Sequence, residues 1–182
     1  DNVHAVAWHV TSEEKASLGG TPVVIRHLTG IVDNAACPEI SVEILAQVIW
    51  PDNGRKNMPV ILELSWMTTD PLHPFGQGIP WQQQVVERGW AAAQIVPGSI
   101  QADGGYGLRE GIIGLCNQGQ YRKPTDWGTL RAWGWGVSVL IDYFQGDDLF
   151  DAAKVAVEGV SRYGKAALVA MAFDQRIAAG FI

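Results

Sequence analysis

The chain has 182 residues, a net charge of −6 at pH 7 and 13 lysines and arginines. This length is enough for one domain with a hydrophobic core. The acidic balance argues against a nucleic-acid or anionic-membrane surface, which requires basic clusters. No apolar run is long enough to span a bilayer, and the segment from Asp1 lacks a basic start and an apolar signal core. Export would therefore require a signal that has been removed.

The first 20 residues are mixed and polar, and Ser12-Glu13-Glu14-Lys15 predicts a capped helical turn in this N-terminal extension. The apolar runs that follow predict strands over residues 23–32, 40–50, 59–66 and 90–96. The first two are expected to be antiparallel neighbours. A helix is predicted over 81–88, with Gly89 as its C-terminal cap.

Two segments are predicted to be loops. Residues 67–76 follow a buried strand. In α/β folds the loop at this place often supplies an oxyanion donor. His73 in that loop lies between prolines, so a structural role is expected. Residues 97–126 are rich in glycine and polar residues, and loops of this length are uncommon without a function. This segment is predicted to form part of a cleft wall, with a simple excursion as the alternative.

Apolar residues recur at helical spacing over 127–145, which predicts an amphipathic helix packed on the sheet. Trp133 is expected in the core, and Trp127, at the start of the helix, is a candidate for a cleft position. Eight tryptophans favour a carbohydrate ligand, because sugars often stack on tryptophan in clefts. Cys37 and Cys116 could pair, although free buried thiols are commoner in such a domain.

The run from Val155 to Lys165 predicts a strand, a sharp turn and a helix. Ser161 lies between Gly159 and Gly164 at the turn, an arrangement that lifts a hydroxyl above a sheet edge and turns backbone N–H groups toward a carbonyl oxygen. This is a variant of the nucleophile elbow G-x-S-x-G, with the second glycine one residue late. A strand–turn–helix in which Ser161 is only the helix N-cap explains the same residues.

Arg162 and Lys165 lie in the first turn of the predicted helix. Positive charge there opposes the helix dipole. We therefore expect a negative group to meet these cations, either an oxyanion at the Ser161 turn or the carboxyl end of a substrate. Solvation of both side chains is the alternative.

Four segments resemble the glucuronoyl esterases, a family of carbohydrate esterases. The most specific is GVSRYGK at 159–165, which is similar to the family signature G-C-S-R-x-G-K with Val160 in place of the usual cysteine. The other three are WGTLRAWGWG at 127–136, AFDQRI at 172–177 and ERGWA at 87–91. The resemblance covers roughly residues 40–182.

This resemblance implies an α/β-hydrolase, with a mostly parallel sheet wound on both faces by helices in a three-layer α/β/α sandwich. It implies a secreted or periplasmic serine esterase for the ester between 4-O-methyl-glucuronic acid of glucuronoxylan and lignin alcohols. Ser161 would be the nucleophile, Arg162 would hold the oxyanion, and Lys165 would bind uronic-acid hydroxyls, with Trp127 as a further substrate contact. No metal or other cofactor, nucleic acid or membrane is implied.

A serine nucleophile needs a base, and no histidine follows Ser161. In this fold the acid and the histidine follow the serine. The only carboxylate after Ser161 is Asp174, which a helix end or a salt bridge explains. Either residues 1–182 are the N-terminal portion of a catalytic domain about twice as long, or the protein is a non-catalytic carbohydrate-binding relative. An acetyl xylan esterase or another acyl esterase is a third alternative, against which the Arg162/Lys165 pair argues.

Overall fold

A seven-stranded mixed sheet lies at the centre of the computed structural model, which describes residues 4–66 and 78–182. The strands are β1 (Val6–Leu18), β2 (Thr21–Val32), β3 (Glu43–Pro51), β4 (Met58–Leu64), β5 (Ala91–Ile95), β6 (Phe150–Glu158) and β7 (Ile177–Phe181). Their order across the sheet is β1-β2-β3-β5-β4-β6-β7. The pairings from β1 through β2 and β3 to β5 are antiparallel, and those joining β5, β4, β6 and β7 are parallel. The predicted strands are confirmed. The sheet was predicted to be mostly parallel, whereas three of its six strand pairings are parallel and three are antiparallel.

Helices cover both faces of the sheet, as predicted. They are α1 (Trp81–Val86), α2 (Pro97–Ile100), α3 (Gly111–Cys116), α4 (Thr129–Gln145) and α5 (Arg162–Phe173). The larger core lies under α4 and α5, where Trp133 is fully buried as predicted. A smaller core, which includes Val86 of α1 and Ile49 of β3, lies on the opposite face. Among the described residues, no helix combines the length and hydrophobicity needed to cross a bilayer.

The predicted capped helical turn in the first 20 residues is wrong, because this segment is strand β1. It pairs with β2 along its length, from Val6 opposite Val32 to Leu18 opposite Thr21. Gly19 and Gly20 have φ of 60° and 86°, values that a tight hairpin turn requires and glycine accepts at little cost. The hairpin hydrogen bonds of a long strand outweigh the weak local preference of a polar segment for a helical turn.

The long segment between β5 and α4 is an ordered excursion with α2, α3 and a 3₁₀ turn at Gly105–Gly107. A buried amide holds it together: Gln101 Nε2 donates to Gly107 O at 2.7 Å, and Gln101 Oε1 accepts from Ile113 N at 3.0 Å. Cys37 and Cys116 are both free thiols. The predicted oxyanion loop at 67–76, including His73, lies outside the described residues.

Candidate active site

Ser161 lies at the sharp turn between β6 and α5. Its φ of 58° and ψ of −115° place it in a backbone region that residues with a β-carbon rarely adopt. Strain of this kind is a feature of the nucleophile elbow, where it exposes the serine hydroxyl at the sheet edge. The residue is exposed, and its side chain makes no capping hydrogen bond to α5. The N-cap alternative therefore lacks the hydrogen bond that defines it.

Gly159 and Gly164 allow α5 to cross directly over the end of β6. A β-carbon on Gly159 would lie 2.6 Å from the carbonyl carbon of Tyr163, and one on Gly164 would lie 2.7 Å from Gly159 O. Both contacts are with backbone atoms, so no side-chain rotation can relieve them. The second glycine thus stands where this helix meets the strand, which accounts for its shift by one residue from the usual motif.

Gly164→Ala is expected to destabilise the protein by about 1–3 kcal/mol, since the added methyl group must push the helix away from the strand. The measurement is the midpoint of thermal or urea unfolding. Gly98→Ala in α2 is the matched control, because a β-carbon there meets nothing within 4 Å. Equal midpoints for the two variants would contradict the close approach of α5 to β6.

Arg162, the first residue of α5, is held by a carboxylate and an aromatic ring. Its Nη2 lies 2.6 Å from Asp103 Oδ1, and its guanidinium carbon lies 5.8 Å from the centre of the Trp133 ring. The Arg162 and Asp103 side chains are 51% and 44% exposed, so water screens the pair and its contribution to stability is small. The contacts orient the guanidinium beside the Ser161 turn while leaving part of it open to a ligand.

Asp103 is placed by the ordered segment that follows β5. Trp133 donates its indole N–H to Gln101 O at 2.8 Å, and the Gln101 amide in turn ties the segment to Gly107 and Ile113. These contacts are buried and fix the backbone at Gln101, two residues before Asp103. The negative group that meets Arg162 is thus a carboxylate of the protein itself. The predicted ligand, an oxyanion at the Ser161 turn or the carboxyl end of a substrate, stays a prediction.

Lys165 is exposed one turn further along α5. Within residues 4–66 and 78–182 its ammonium group forms no ion pair. Ser161, Arg162 and Lys165 therefore share one corner of the molecule, with a hydroxyl and two cations in the first turn of a helix. In this turn Tyr163 N donates to Val160 O at 3.0 Å and Lys165 N to Ser161 O at 3.1 Å. The N–H of Arg162, the first residue of the helix, is the amide that this corner offers to an oxyanion.

Trp127 packs on two residues of α4, Arg131 and Trp135. The ring of Trp127 lies 4.8 Å from the guanidinium carbon of Arg131, which also lies 4.4 Å from the Phe173 ring. Phe173 ends α5, about 17 Å along the helix axis from its first residue. Trp127 also packs on Trp135, with ring centres 6.2 Å apart, at the edge of the core. Its contact with substrate stays a prediction.

Two carboxylates lie side by side on the sheet just before the elbow. Glu63 of β4 and Glu158 of β6 are register partners on parallel strands. Burial, together with the charge of Glu63, raises the pKa of Glu158 above its usual value. Burial likewise raises the pKa of Glu63, although Gln94 Nε2 donates to Glu63 Oε2 at 2.6 Å and Trp81 also donates to this carboxylate. Partial burial therefore disfavours the ionised form of both carboxylates.

Glu158→Gln is expected to raise the melting temperature at pH 7 and to leave it unchanged near pH 4. Because the folded-state pKa of Glu158 lies above the usual 4.5, the stability of its protonated form is complete below that value and is lost as pH rises through the folded pKa. Glutamine imitates the protonated form, so its advantage grows with pH. Thermal unfolding between pH 4 and 8 measures it, with exposed Glu14→Gln as the matched control. An advantage independent of pH would contradict the burial of this carboxylate.

No base for Ser161 is found in the described part of the chain. His4, His9 and His27 lie on or beside β1 and β2, at the edge of the sheet opposite β6 and β7. Asp174 is the C-cap of α5 and bonds Arg176, with Oδ2 2.7 Å from Arg176 Nη2, which confirms its predicted role at a helix end. Across residues 4–66 and 78–182, no three side chains among His, Cys, Asp and Glu converge as a metal site requires.

Asp103, Glu63 and Glu158 were missed by sequence reasoning. Glu63 carries a signal, because it is the one charged residue in the otherwise apolar strand β4, and charged residues are rarely withdrawn from water without a reason. Glu158 carries a weaker one, since it ends β6, which also contains Asp151 and Lys154. Asp103 carries none, since an aspartate in a glycine-rich loop is ordinary. Only the folding of its loop over α4 shows that it meets Arg162.

Comparison with known proteins adds a family to this geometry. A family model described as "Glucuronyl esterase, fungi" matches residues 38–181. The solved structure of a glucuronoyl esterase from Teredinibacter turnerae superposes with a TM-score of 0.84 at 37% sequence identity, covering 97% of this chain and 45% of that chain. The match covers nearly all of this chain, and the predicted α/β-hydrolase fold is thereby confirmed.

Two curated relatives match shorter segments. A carbohydrate esterase from an unknown prokaryotic organism is 38% identical over 101 residues, 54% of this chain and 23% of that protein. A 4-O-methyl-glucuronoyl methylesterase from Hypocrea jecorina is 46% identical over 52 residues, 28% of this chain and 11% of that protein. The chain spans less than half the length of each of these relatives.

Proposed function

Since the chain belongs to the glucuronyl esterase family, we propose that it carries the nucleophile of a serine esterase acting on esters of glucuronic acid. The proposed substrate is the ester between 4-O-methyl-glucuronic acid of glucuronoxylan and a lignin alcohol. The observation that carries the proposal is the strained, exposed Ser161 with two cations in the same helical turn. Because lignocellulose lies outside cells, the proposal also places the protein in a secreted or periplasmic location.

In the proposed reaction, the Ser161 hydroxyl attacks the carbonyl carbon of the uronate ester while a base accepts its proton. The described residues do not include that base, and an imidazole from elsewhere in the full-length protein would serve. The resulting tetrahedral oxyanion would be met by the Arg162 backbone N–H and guanidinium. The alcohol leaves with the proton held by the base, and water then hydrolyses the ester bond to Ser161.

Lys165 supports a uronic acid on the acyl side of the ester. Its ammonium group, which forms no ion pair with the described residues, lies one helical turn beyond Ser161 and would donate hydrogen bonds to the hydroxyl groups of the sugar ring. An acetyl group offers no such acceptors, so an acetyl ester would leave this cation unused. The charges at this corner therefore favour a glucuronate ester over an acetyl ester.

The test is a comparison of kcat/KM for benzyl glucuronate and for an acetylated xylose, measured with the full-length protein. We expect the glucuronate ester to be preferred by more than about tenfold, which corresponds to roughly 1.4 kcal/mol of differential transition-state binding. A clear preference for the acetyl ester would assign the protein to acyl-ester hydrolysis instead. Binding of xylan fragments without turnover of either ester would mark a non-catalytic relative.

A further inference from the structure

A groove of about 750 Å³ lies along the ordered segment between β5 and α4, where this segment faces the loop before β3. Its lining residues with polar or aromatic side chains include Glu39, Tyr106, Arg109, Glu110, Gln120 and Tyr121. We call it the tyrosine groove. None of these residues belongs to the Ser161 corner, and the reaction proposed above does not use them.

Two tyrosine rings stand open at the groove. Tyr106 is 84% exposed and Tyr121 is 78% exposed, so both present large apolar faces to solvent. Each ring packs on one side against another part of the same segment. The Arg109 guanidinium carbon lies 5.0 Å from the centre of the Tyr121 ring while Arg109 Nε donates to Gly119 O at 2.7 Å, and the Tyr106 ring packs against Gly104. Aromatic rings held in place in this way lose little entropy when a flat ligand stacks on them.

The rest of the lining selects for a neutral, hydroxyl-rich ligand. Glu39 and Glu110 bring two carboxylates against the one guanidinium of Arg109, so an anion is repelled. The carboxylates, the guanidinium and the Gln120 amide together offer both acceptors and donors, which suits hydroxyl groups. A lignin-like aromatic alcohol would instead need an apolar enclosure, whereas this groove is open and, besides the two tyrosines, only Cys37 and Ile40 among its lining side chains are apolar.

The groove lies close to the proposed reaction centre along the chain. Asp103 contacts Arg162, and Tyr106 follows Asp103 by three residues, so their Cα atoms are within about 11 Å of each other. A polymer that places an esterified uronic acid side group at Ser161 therefore has its main chain near Tyr106, one of the two tyrosines of the groove. The Ser161 corner would take the esterified uronic acid, and the groove would take the neutral sugars of the main chain.

We propose that the tyrosine groove binds neutral sugar units of the polysaccharide main chain that carries the uronate ester. This inference rests on the function proposed above, and it assigns Tyr106 and Tyr121 as stacking platforms. Stacking on an aromatic side chain with hydrogen bonds at the ring edge is the chemistry that such a lining offers.

The binding test uses the full-length protein with Ser161→Ala, titrated calorimetrically with xylohexaose. Adding Tyr106→Ala and Tyr121→Ala together is expected to weaken binding at least tenfold. The double change to phenylalanine keeps the rings and is expected to retain most of the affinity. Phe173→Ala, an exposed aromatic residue at the far end of α5, is the matched control and should bind as the parent does. Equal affinity of the double alanine variant and the parent would overturn the proposal.

The activity test uses the same tyrosine changes with Ser161 intact. The double alanine variant is expected to lose at least tenfold in kcat/KM on esterified glucuronoxylan and to stay within twofold on benzyl glucuronate. An equal loss on both substrates would overturn the groove as a main-chain site, as would loss of binding to benzyl alcohol with xylohexaose binding unchanged. If the parent turns over neither ester yet binds xylohexaose through the two tyrosines, the proposed reaction fails while the sugar site stands.

Discussion

Ser161→Ala in the full-length protein is expected to reduce kcat on benzyl glucuronate by about 10⁵–10⁶-fold, because the nucleophile and its covalent route are removed together. Substrate affinity should change little, since the cations and the groove remain. Single-turnover and steady-state kinetics measure the first quantity, and calorimetric titration of the ester measures the second. Ser12→Ala, on the exposed edge strand β1, is the matched control and should keep full activity.

Measuring the unfolding temperature shows whether a loss of activity comes from the missing hydroxyl or from disruption of the turn at Ser161. Ser161→Ala should unfold at the temperature of the parent, as the side chain makes no capping hydrogen bond. Ser161→Gly should be more stable than Ser161→Ala, because glycine accepts the φ of 58° without strain. Retained turnover in both variants would remove Ser161 from the mechanism, whatever their stability.

Arg162→Met is expected to lower kcat by about 10²–10³-fold, the usual effect of removing one oxyanion donor. The backbone N–H of residue 162 stays, so activity should not vanish. The kcat of Arg162→Lys should lie between that of the parent and that of Arg162→Met. Steady-state kinetics on benzyl glucuronate with the full-length protein give the values. Arg55→Met, an exposed arginine in the turn before β4, controls for the loss of a positive charge. Unchanged kcat in Arg162→Met would leave the oxyanion to other donors.

Asp103→Asn tests how Arg162 is held. The change keeps the guanidinium but weakens the partner that lies 2.6 Å from it, so we expect a smaller loss of kcat, about tenfold, from a less ordered side chain. Asp103→Glu, which keeps the carboxylate, should lose less kcat than Asp103→Asn. A gain in kcat on Asp103→Asn would show the opposite role, a carboxylate that competes with the oxyanion for Arg162.

The elements that sequence reasoning predicted well are those whose signal lies in neighbouring residues. The apolar runs of β2 to β6 and the helical spacing of α4 need no distant partner to be recognised. The segment before β2 was predicted wrongly, because its polar residues are compatible with a helical turn as well as with a strand. Only its pairing with β2 makes it a strand. Its glycine pair, Gly19-Gly20, was the local sign of a hairpin.

The candidate site divides in the same way. The amino-acid sequence alone determined a serine between two glycines at a strand-to-helix turn, with Arg162 and Lys165 in the following turn, because consecutive residues of one turn must lie together. Only the tertiary structure decided that Asp103 meets Arg162 and that Glu63 lies beside Glu158. Those contacts join segments distant in the chain, and their geometry depends on how the strands register and how α4 and α5 cross the sheet.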